Sequence, residues 1–382
     1  MNATLGSLCQ FLNGGTPPKS ESRYFEGDIP WITSADITSP IVDTARSFIT
    51  DEAVGASATN KVPTGTVLLV TRTGVGKVAV AGVDLCFSQD ITALLPDKDR
   101  LDTAYLVHFL RTKQDYLLSM ARGATIKGVT RNVVADLVIP LPPLPEQRRI
   151  AAILGQTDAL RAKRREALAQ LDRLAQSVFV EMFGDPETNP KNLRKSAISD
   201  IAEVSTGSTP SRGSGDFYGG SIPWVKTTEV TGEVIHDTEE KLTEAGLRSI
   251  RGKLHPVNSI LVAMYGQGQT RGRAALLALE ASCNQACGVI RPSEHYLPRF
   301  MFAQLLLGYD RLRALGRGGN QENLNLQLLG AFEVLVPPLA IQQAFVTRMS
   351  AIDALTAMHR TALAELDALF ASLQHRAFRG EL

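Results

Sequence analysis

The sequence predicts an α+β protein built from two similar units, each a globular head followed by one long helix. Two windows, Thr16–Thr38 and Thr209–Thr231, carry Thr-Pro and then Ile-Pro-Trp at the same spacing. After each head, a long stretch without Pro carries apolar residues at three- and four-residue steps, which is typical of a helix. These observations predict two heads in a pseudo-twofold arrangement, separated by two long antiparallel helices.

The composition is that of a soluble protein with more than one domain. The chain has 382 residues, 44% hydrophobic and 21% charged, so it can bury more than one core. No apolar run approaches the roughly 18 residues of a membrane helix, and the first residues lack a signal-peptide pattern. We therefore expect a cytoplasmic protein. The net charge of +1 does not decide whether the chain binds nucleic acid.

The two halves match well beyond the opening motif. Within residues 14–38, eight positions are identical to those 193 residues later, and similar pairs fill the gaps. A period of about 190 residues is far longer than the roughly 20–50 residues of a solenoid repeat, so it indicates a duplicated domain. The identical pairs are Gly14/Gly207, Thr16/Thr209, Pro17/Pro210, Gly27/Gly220, Ile29/Ile222, Pro30/Pro223, Trp31/Trp224 and Thr38/Thr231.

Each head combines short strands with one amphipathic helix. The runs "TVLLV" (66–70) and "KVAVAGV" (77–83) are rich in β-branched residues and lie between turn signals, which predicts strands. The segment "TAYLVHFLRTKQDYLLSMA" (103–121) has helical periodicity, and so does its counterpart "PRFMFAQLLLGYDRLRAL" (298–315). We expect one helix from each segment.

A second, strongly helical part follows each head. Residues 146–182 contain no Pro, and a helix of about 38 residues would span roughly 57 Å. Two such helices with matched apolar stripes favour an antiparallel coiled coil, although each could instead form a separate packed arm. The basic run 161–165 is interpreted as a solvated face. The stripes are Ile150, Leu154, Leu160, Leu168, Leu171, Leu174, Val178 and Met182, and Phe345, Met349, Ile352, Leu355, Leu363, Leu366, Leu369 and Leu373.

The sequence lacks the common catalytic motifs. "TRTGVGK" departs from a phosphate-binding P-loop, "GQGQTRG" departs from a dinucleotide fingerprint, and no nucleophile elbow or adenine-methyltransferase motif occurs. The six histidines show no metal-ligand spacing. The cysteines are expected to be small buried thiols, because only one pair is close and nothing nearby completes a zinc site. They are Cys9, Cys86, Cys283 and Cys287.

Basic and amide residues gather in Gly-rich loops, which indicates contact with DNA. Residues 245–279 contain no Asp or Glu but five cations, and residues 103–135 contain one acid. Arginine and lysine neutralise phosphates, and amides and guanidinium groups fit base edges. The alternative is a set of hairpin turns with polar tips. The candidate DNA-binding residues are Arg72, Lys77, Lys127, Arg248, Gln267, Gln269, Arg271, Arg273, Asn320 and Gln321.

The repeated tryptophans are interpreted as scaffold. Trp31 and Trp224 both follow Ile-Pro in the duplicated segment, and what two heads with different ligands share should be framework. Residues that read a ligand should differ between the heads, as "RTGVGKV" differs from "YGQGQTRGRA".

These features resemble the specificity (S) subunit of type I restriction–modification systems over nearly the whole chain. The motifs that carry the resemblance are the repeated Thr-Pro…Ile-Pro-Trp, "IPLPPLPEQRRIAAIL" before the central helix, "FGDP" at Phe183–Pro186 and the terminal "AFRGEL". The second copy, "VPPLAIQQAFV", lacks the Glu-Gln-Arg core. The resemblance implies a first target-recognition domain at 1–144, a central helix at 145–184, a second target-recognition domain at 185–338 and a C-terminal helix at 339–382.

The resemblance also implies how such a subunit works. Each head would read one half of a bipartite double-stranded DNA site, and the helices would fix the unread spacer. Two methyltransferase (M) subunits would dock on the helices and use S-adenosylmethionine, which this chain itself would not bind, and motor-nuclease (R) subunits could join. The candidate partner-binding residues are Gln147, Arg148, Arg149 and Gln342.

Three other interpretations stay open at this point. The chain could be a fused nuclease or methyltransferase with an unfamiliar site, against which the missing motifs count. It could be a scaffold that bridges two protein partners without DNA. It could also be the specificity subunit of a system that only methylates.

Overall fold

The computed structural model describes residues 2–123, 127–250, 254–266, 268–316 and 323–382. Contacts divide the chain into two compact units, one that joins the chain up to Arg165 with Thr361–Leu382, and one that comprises Glu166–Arg360. Each unit therefore contains one head and parts of both long helices. In the described part of the chain, no helix is both long and apolar enough to cross a membrane.

The first unit contains a five-stranded sheet in the order β2-β10-β7-β8-β4, a four-stranded sheet in the order β5-β3-β9-β6, and the pair β1-β11. Its strands are β1 (Asn2–Thr4), β2 (Cys9–Asn13), β3 (Ile29–Ile32), β4 (Ile41–Val42), β5 (Ser47–Ile49), β6 (Lys61–Val62), β7 (Val67–Val70), β8 (Val78–Ala81), β9 (Leu85–Phe87), β10 (Ile91–Pro96) and β11 (Val138–Pro140). Its helices are α1 (Asp51–Gly55), α2 (Thr103–Thr112), α3 (Gln114–Met120), α4 (Arg131–Ala135) and the first part of α5 (Leu144–Phe183).

The second unit contains a five-stranded sheet in the order β13-β20-β17-β18-β15, a three-stranded sheet in the order β16-β14-β19, and the pair β12-β21. Its strands are β12 (Lys195–Ala197), β13 (Val204–Thr206), β14 (Tyr218–Val225), β15 (Val234–Ile235), β16 (Glu240–Leu242), β17 (Ile260–Ala263), β18 (Ala274–Leu277), β19 (Ser282–Cys283), β20 (Cys287–Ile290) and β21 (Glu333–Leu335). Its helices are α6 (Ile198–Ile201), α7 (Glu244–Ser249), α8 (Pro298–Leu307), α9 (Tyr309–Leu315), α10 (Leu326–Gly330) and the first part of α11 (Leu339–Ala377).

The two units repeat one topology, which confirms the duplication predicted from the sequence. Strand for strand, the five-stranded sheets have the same order, and each unit closes its head with a pair between its first and last strands. Residues 66–70 and 77–83 form β7 and β8 largely as the β-branched runs predict. Helix α5 starts in the first unit and ends in the second, whereas α11 runs from the second unit to the first.

The central strands are buried on both faces. In β7, Val67 and Leu69 pack into one core cluster, and Leu68 and Val70 pack into another on the opposite face. This alternation is the two-residue period of a strand. Strand β17 repeats it in the second unit, where its alternate residues divide between two clusters. The short apolar runs of the sequence are therefore sheet cores.

Both repeated tryptophans lie in the interior, as the scaffold interpretation requires. Trp31 is 5% exposed and donates its Nε1–H to the Gly15 carbonyl at 3.0 Å, while Trp224 is 1% exposed. Its Nε1–H donates to the Ser208 carbonyl at 3.1 Å, the equivalent position of the repeat. A Trp indole N–H is normally paired when buried. Neither ring offers a free face on which a nucleobase could stack.

The four cysteines are free thiols. Cys86, Cys283 and Cys287 are buried, whereas Cys9 is half-buried. Burial raises the pKa of the Cys9 thiol to about 12 and that of Cys86 to about 11. Both side chains therefore stay protonated and unreactive near neutral pH.

The single head helix predicted at residues 103–121 is wrong, because the chain forms two helices there. Helix α2 ends at Thr112 and α3 begins at Gln114, with Lys113 at φ −96° and ψ 4° between them. The second unit breaks in the same way at Gly308, between α8 and α9. The change of direction lets the second helix bury a leucine, Leu117 in one head and Leu312 in the other, both 0% exposed.

The long helices are packed partly against each other and partly against the heads. In the first unit, Ile150 and Leu154 of α5 share a core cluster with Phe370 of α11 and with the head. In the second unit, Phe179 of α5 has its ring centroid 5.5 Å from that of Phe345 of α11. Because each long helix packs against both a head and the other long helix, its buried residues do not form one continuous stripe.

Four leucines of the predicted stripes consequently face solvent. The antiparallel coiled coil predicted from the stripes is therefore not packed at these four positions. The exposed fractions are 50% for Leu160, 48% for Leu174, 43% for Leu355 and 49% for Leu369.

One buried glutamine attaches the start of each long helix to its head. Gln147 is 0% exposed, and its Oε1 accepts the backbone N–H of Asp102, the N-cap residue of α2, at 2.9 Å. Its Nε2 donates to the carbonyls of Arg100 (2.9 Å) and Pro142 (2.8 Å). Every polar atom of this side chain is therefore paired inside the unit.

Gln342 repeats this arrangement in the second unit. It is also 0% exposed, and its Oε1 accepts the N–H of Leu297, the N-cap residue of α8, at 2.8 Å. Its Nε2 donates to the carbonyls of His295 (3.3 Å) and Pro337 (2.8 Å). The prediction that Gln147 and Gln342 bind a partner is therefore corrected, because both are buried and internally hydrogen-bonded.

We expect Gln342→Met to lower the free energy of unfolding of the second unit by about 2–4 kcal/mol, because three buried backbone groups lose their partner. Gln343→Met is the matched control, since Gln343 is the next residue of the same helical turn and is exposed. Urea unfolding followed by circular dichroism measures both. Equal unfolding midpoints for the two variants would contradict the anchoring role.

A buried histidine lies where α2 meets the long helices. His108 is 6% exposed, and its ring centroid is 6.4 Å from that of Phe370. Burial and, to a smaller extent, the positive charge of Arg111 lower the pKa of His108 to about 4, while the Asp158 carboxylate acts in the opposite direction. The imidazole is therefore neutral at pH 7.

This lowered pKa predicts acid sensitivity. The unfolded chain takes up the proton near pH 6.5, before the folded chain does, so stability is lost as the pH falls from about 6.5 toward 4. Between pH 7 and pH 5, we expect the His108→Leu variant to lose about 2 kcal/mol less free energy of unfolding than the wild type. Urea titrations at each pH measure the difference, and parallel losses in both proteins would refute it.

Candidate nucleic-acid interface

The first head presents four exposed cations, Arg72, Lys77, Arg122 and Lys127, on adjoining segments of chain. One is the loop of residues 71–77, which joins β7 to β8, and the other comprises the described residues 121–123 and 127–130, which follow α3. Val129 N–H donates to the Thr71 carbonyl at 2.9 Å, and two backbone hydrogen bonds join Arg122 to Gly128. A Cβ on Gly128 would lie 2.8 Å from Cγ of Arg72, so the loops approach this closely only with glycine there. Among the described residues, no side chain pairs with Arg72, Arg122 or Lys127.

Lys77 ends the first of these loops. The loop closes through its own backbone, because Gly76 N–H donates to the Val70 carbonyl and Val70 N–H to the Lys77 carbonyl, both at 2.9 Å. Gly76 has φ +91°, a left-handed conformation that favours glycine. Lys77 is exposed and lines a groove of about 720 Å³ between the loop, α2 and α3, and the long helices of the first unit.

The other cations of this groove are already paired with carboxylates. Arg111 contacts Asp158 at 3.2 Å, and Arg161 contacts the same carboxylate at 2.8 Å. Arg161 also pairs with Asp367 of α11, and its guanidinium lies 4.4 Å from the ring centroid of Phe370. The prediction that the basic run 161–165 forms a solvated face is therefore wrong for Arg161, because its side chain is only 17% exposed.

The equivalent loop of the second head, residues 264–273 between β17 and β18, presents a different set of groups. Gln269 is exposed and accepts a hydrogen bond from Nη2 of Arg273 at 3.0 Å. Tyr265 is 39% exposed. The loop rests on α9, where Tyr309 and Arg313 donate to its backbone carbonyls.

The remaining candidates of the second head are not gathered in this loop. Arg248 is exposed on α7, 3.8 Å from Glu244, in the part of the head that surrounds Trp224. Arg271 is 7% exposed, so the free chain offers little of this side chain to a ligand, and its contact with DNA stays a prediction. Gln267, Asn320 and Gln321 lie outside the described residues.

Two of the candidate partner-binding residues are on the surface. Arg148 and Arg149 lie in the second turn of α5 with side chains 66% and 50% exposed. Arg149 holds Glu146 with Nη2–Oε1 at 2.7 Å, which lowers the pKa of that carboxyl. Their contact with a partner stays a prediction.

The sequence pattern does not single out Tyr309 and Arg313, whose side chains donate hydrogen bonds to the loop 264–273. It predicts them only as part of a helix. The duplication contained a signal for them, because the equivalent of Tyr309 in the first head is Gln114, which packs against Gly76 of the other loop. In the described part of the chain, no group of His, Cys, Asp and Glu is arranged to hold a metal ion.

The chain matches a known domain twice. A family model described as type I restriction modification DNA specificity domain matches residues 1–171 and again residues 190–368. The MjaIX specificity subunit of a type I restriction enzyme from Methanocaldococcus jannaschii is 25% identical over 364 residues, covering 88% of this chain and 82% of that protein. The EcoR124I/EcoR124II specificity subunit from Escherichia coli is 31% identical over 198 residues, covering 48% and 49%.

Solved structures share the fold over almost the entire chain. The S subunit of a type I restriction–modification system from M. genitalium has a TM-score of 0.63 at 15% identity, covering 99% of this chain and 96% of that one. A chain from a study of complex assembly and conformational transition of the type I R-M system has a TM-score of 0.55 at 18% identity, covering 100% and 98%. Since one domain model accounts for both halves, the chain belongs to the type I restriction modification DNA specificity family.

Proposed function

We propose that this chain is the DNA-recognition subunit of a type I restriction–modification complex, with each head reading one half of a bipartite site. One observation carries the proposal. The loops 71–77 and 264–273 occupy the same place in the same sheet of the two heads, yet they present different side chains. A shared scaffold with different loop chemistry is what two half-sites of different sequence require.

The electrostatics of the first head support contact with the phosphate backbone. Arg72, Arg122 and Lys127 lie on backbone segments that hydrogen bonds hold together, and their charges are not compensated by described side chains. Cations placed in this way release counterions when they meet phosphates. The net charge of +1 is compatible with DNA binding because the positive charge is local.

The long helices offer a surface for protein partners. In the first unit, Leu160 of α5 and Leu369 of α11 are exposed. In the second unit, Leu174 of α5 and Leu355 of α11 are exposed in the same way. Because exposed apolar stripes commonly mark interfaces, we propose that methyltransferase subunits dock there through helices of their own.

In this proposal the chain contributes recognition and its partners contribute chemistry. The methyltransferase subunits would bind S-adenosylmethionine and methylate adenine, and a motor-nuclease subunit could join the complex. The two long helices connect the heads and would set the unread spacer between the two half-sites.

Co-expression with candidate adenine methyltransferase subunits, sought among the genes that neighbour the one for this chain, tests the proposal directly. Methylated adenines in the host DNA, mapped by single-molecule sequencing, should define two short specified blocks with a fixed unspecified spacer. A stable complex that leaves no such motif and binds no duplex would favour a scaffold without a DNA function.

We expect the triple variant Arg72→Ala, Arg122→Ala, Lys127→Ala to bind DNA more weakly and with less salt dependence. The slope of log K against log salt should fall by about 2–3, because each phosphate contact contributes about 0.9. Titration of labelled duplex with the assembled complex measures the slope. Lys98→Ala is the control, since Lys98 is exposed and follows the end of β10 remote from the loops. The same slope in both variants would exclude these cations from the interface.

We expect Leu160→Glu together with Leu174→Glu to prevent assembly with the methyltransferase and leave the fold intact. A charge at each leucine makes docking of an apolar helix face unfavourable, whereas both positions are already solvated in the free chain. Size-exclusion chromatography of the co-expressed subunits measures assembly, and circular dichroism checks the fold. Ala169→Glu, at an exposed position of the same helix, should assemble normally.

A further inference from the structure

Two side chains of α9 donate hydrogen bonds to the recognition loop of the second head, residues 264–273. Tyr309 Oη donates to the Gln269 carbonyl at 2.8 Å, and Arg313 Nη1 donates to the Gly268 carbonyl at 2.6 Å. Arg313 Nη1 also donates to Tyr309 Oη at 2.8 Å. The two side chains therefore form one connected hydrogen-bond network beneath two successive peptide groups.

The loop has a physical need for this support. It contains ten residues between β17 and β18, whereas the equivalent loop of the first head contains seven between β7 and β8. The shorter loop closes through backbone hydrogen bonds at Val70, Gly76 and Lys77. The longer loop closes through the equivalent pair, in which Gly272 N–H donates to the Ala263 carbonyl at 2.8 Å and Ala263 N–H to the Arg273 carbonyl at 2.9 Å. In addition, the carbonyls of Gly268 and Gln269, in the middle of this loop, accept hydrogen bonds from α9.

Close packing reinforces the hydrogen bonds. Gly272 has φ +85°, and a Cβ there would lie 3.2 Å from Cγ of Arg313 and 3.3 Å from its backbone nitrogen. The loop thus lies directly on the helix. The first head repeats the contact without the hydrogen bonds, because Gln114, the equivalent of Tyr309, packs against Gly76.

We propose that Tyr309 and Arg313 are positioning residues for DNA recognition by the second head. They need not touch DNA. They fix the backbone at residues 268 and 269, and so place the exposed side chains of Tyr265 and Gln269 and the half-buried side chain of Arg273 before DNA arrives. This inference rests on the proposed function, because it makes the accuracy with which that loop recognises its half-site depend on α9.

The size of the effect follows from preorganisation. When a loop becomes ordered only on binding, the conformational entropy that it loses makes the net free energy of binding less favourable. Each lost hydrogen bond to a backbone carbonyl is worth about 1 kcal/mol. We therefore expect the preference for the correct over an altered second half-site to fall about five- to tenfold in each variant.

The experiment compares Tyr309→Phe, Arg313→Met and Arg313→Lys in the complete complex with its methyltransferase partner. Tyr116→Phe is the matched control, because Tyr116 is exposed on α3 of the first head and its hydroxyl has no described partner. Binding is measured to the cognate duplex and to duplexes with one base pair changed in either half. The methylated motif is mapped for each variant, and melting temperatures monitor folding.

The expected result is specific to one half of the site. Tyr309→Phe and Arg313→Met should relax one block of the motif, keep the other block and the spacer, and melt within a few degrees of the wild type. Arg313→Lys should recover part of the discrimination, because an ammonium can still donate to the Gly268 carbonyl. Tyr116→Phe should match the wild type.

Other outcomes overturn the inference and can be told apart from failure of the proposed function. Unchanged discrimination in Tyr309→Phe and Arg313→Met, with a specific wild type, would refute the positioning role alone. Equal losses at both halves would also refute it, since they would indicate general destabilisation. A wild-type complex that discriminates at neither half would refute the proposed function itself.

Discussion

The buried glutamine at the start of each long helix is the interaction on which the rest of the molecule depends. Gln147 and Gln342 bind the N-cap residue of the head helix through their carbonyl oxygen and two backbone carbonyls through their amide. An amide side chain can accept a hydrogen bond through its oxygen and donate two through its nitrogen, which matches these three partners. Because all partners are buried backbone groups, loss of the glutamine would leave several of them unsatisfied. The direction in which each long helix leaves its head is therefore fixed at its first turn.

A second attachment lies eleven residues further along each helix. Asp158 of α5 pairs with Arg111 of α2, and Asp353 of α11 pairs with Arg299 of α8 at 2.8 Å. The arginine comes from a different position of the head helix in each unit, whereas the aspartates are equivalent. The duplicated halves have thus kept the same attachment with different sequences. The start of each long helix is thus fixed to its own head at two points.

The two heads differ in how they stabilise their recognition loops. In the first head, glycine and backbone hydrogen bonds close a short loop, and its cations stand on an adjoining segment. In the second head, the same kind of backbone closure holds a longer loop, and side chains of α9 also donate hydrogen bonds to its carbonyls. The sheet beneath both loops is the same. Divergence is therefore confined to residues that can change without disturbing a core, and these are the residues that would determine the sequence preference.

The sequence by itself determined the duplication, the two head scaffolds and the two long helices, because Ile-Pro-Trp, the apolar runs and the Pro-free stretches are local patterns. It also located the loops 71–77 and 264–273. Only the tertiary structure decided which polar residues are available at the surface. Gln147, Gln342 and Arg271 are of residue types that commonly bind ligands, but they are buried. Leu160 and Leu174 are of a residue type common in cores, but they are exposed. Exposure depends on which neighbours fold back onto each residue, and those neighbours are distant in the chain.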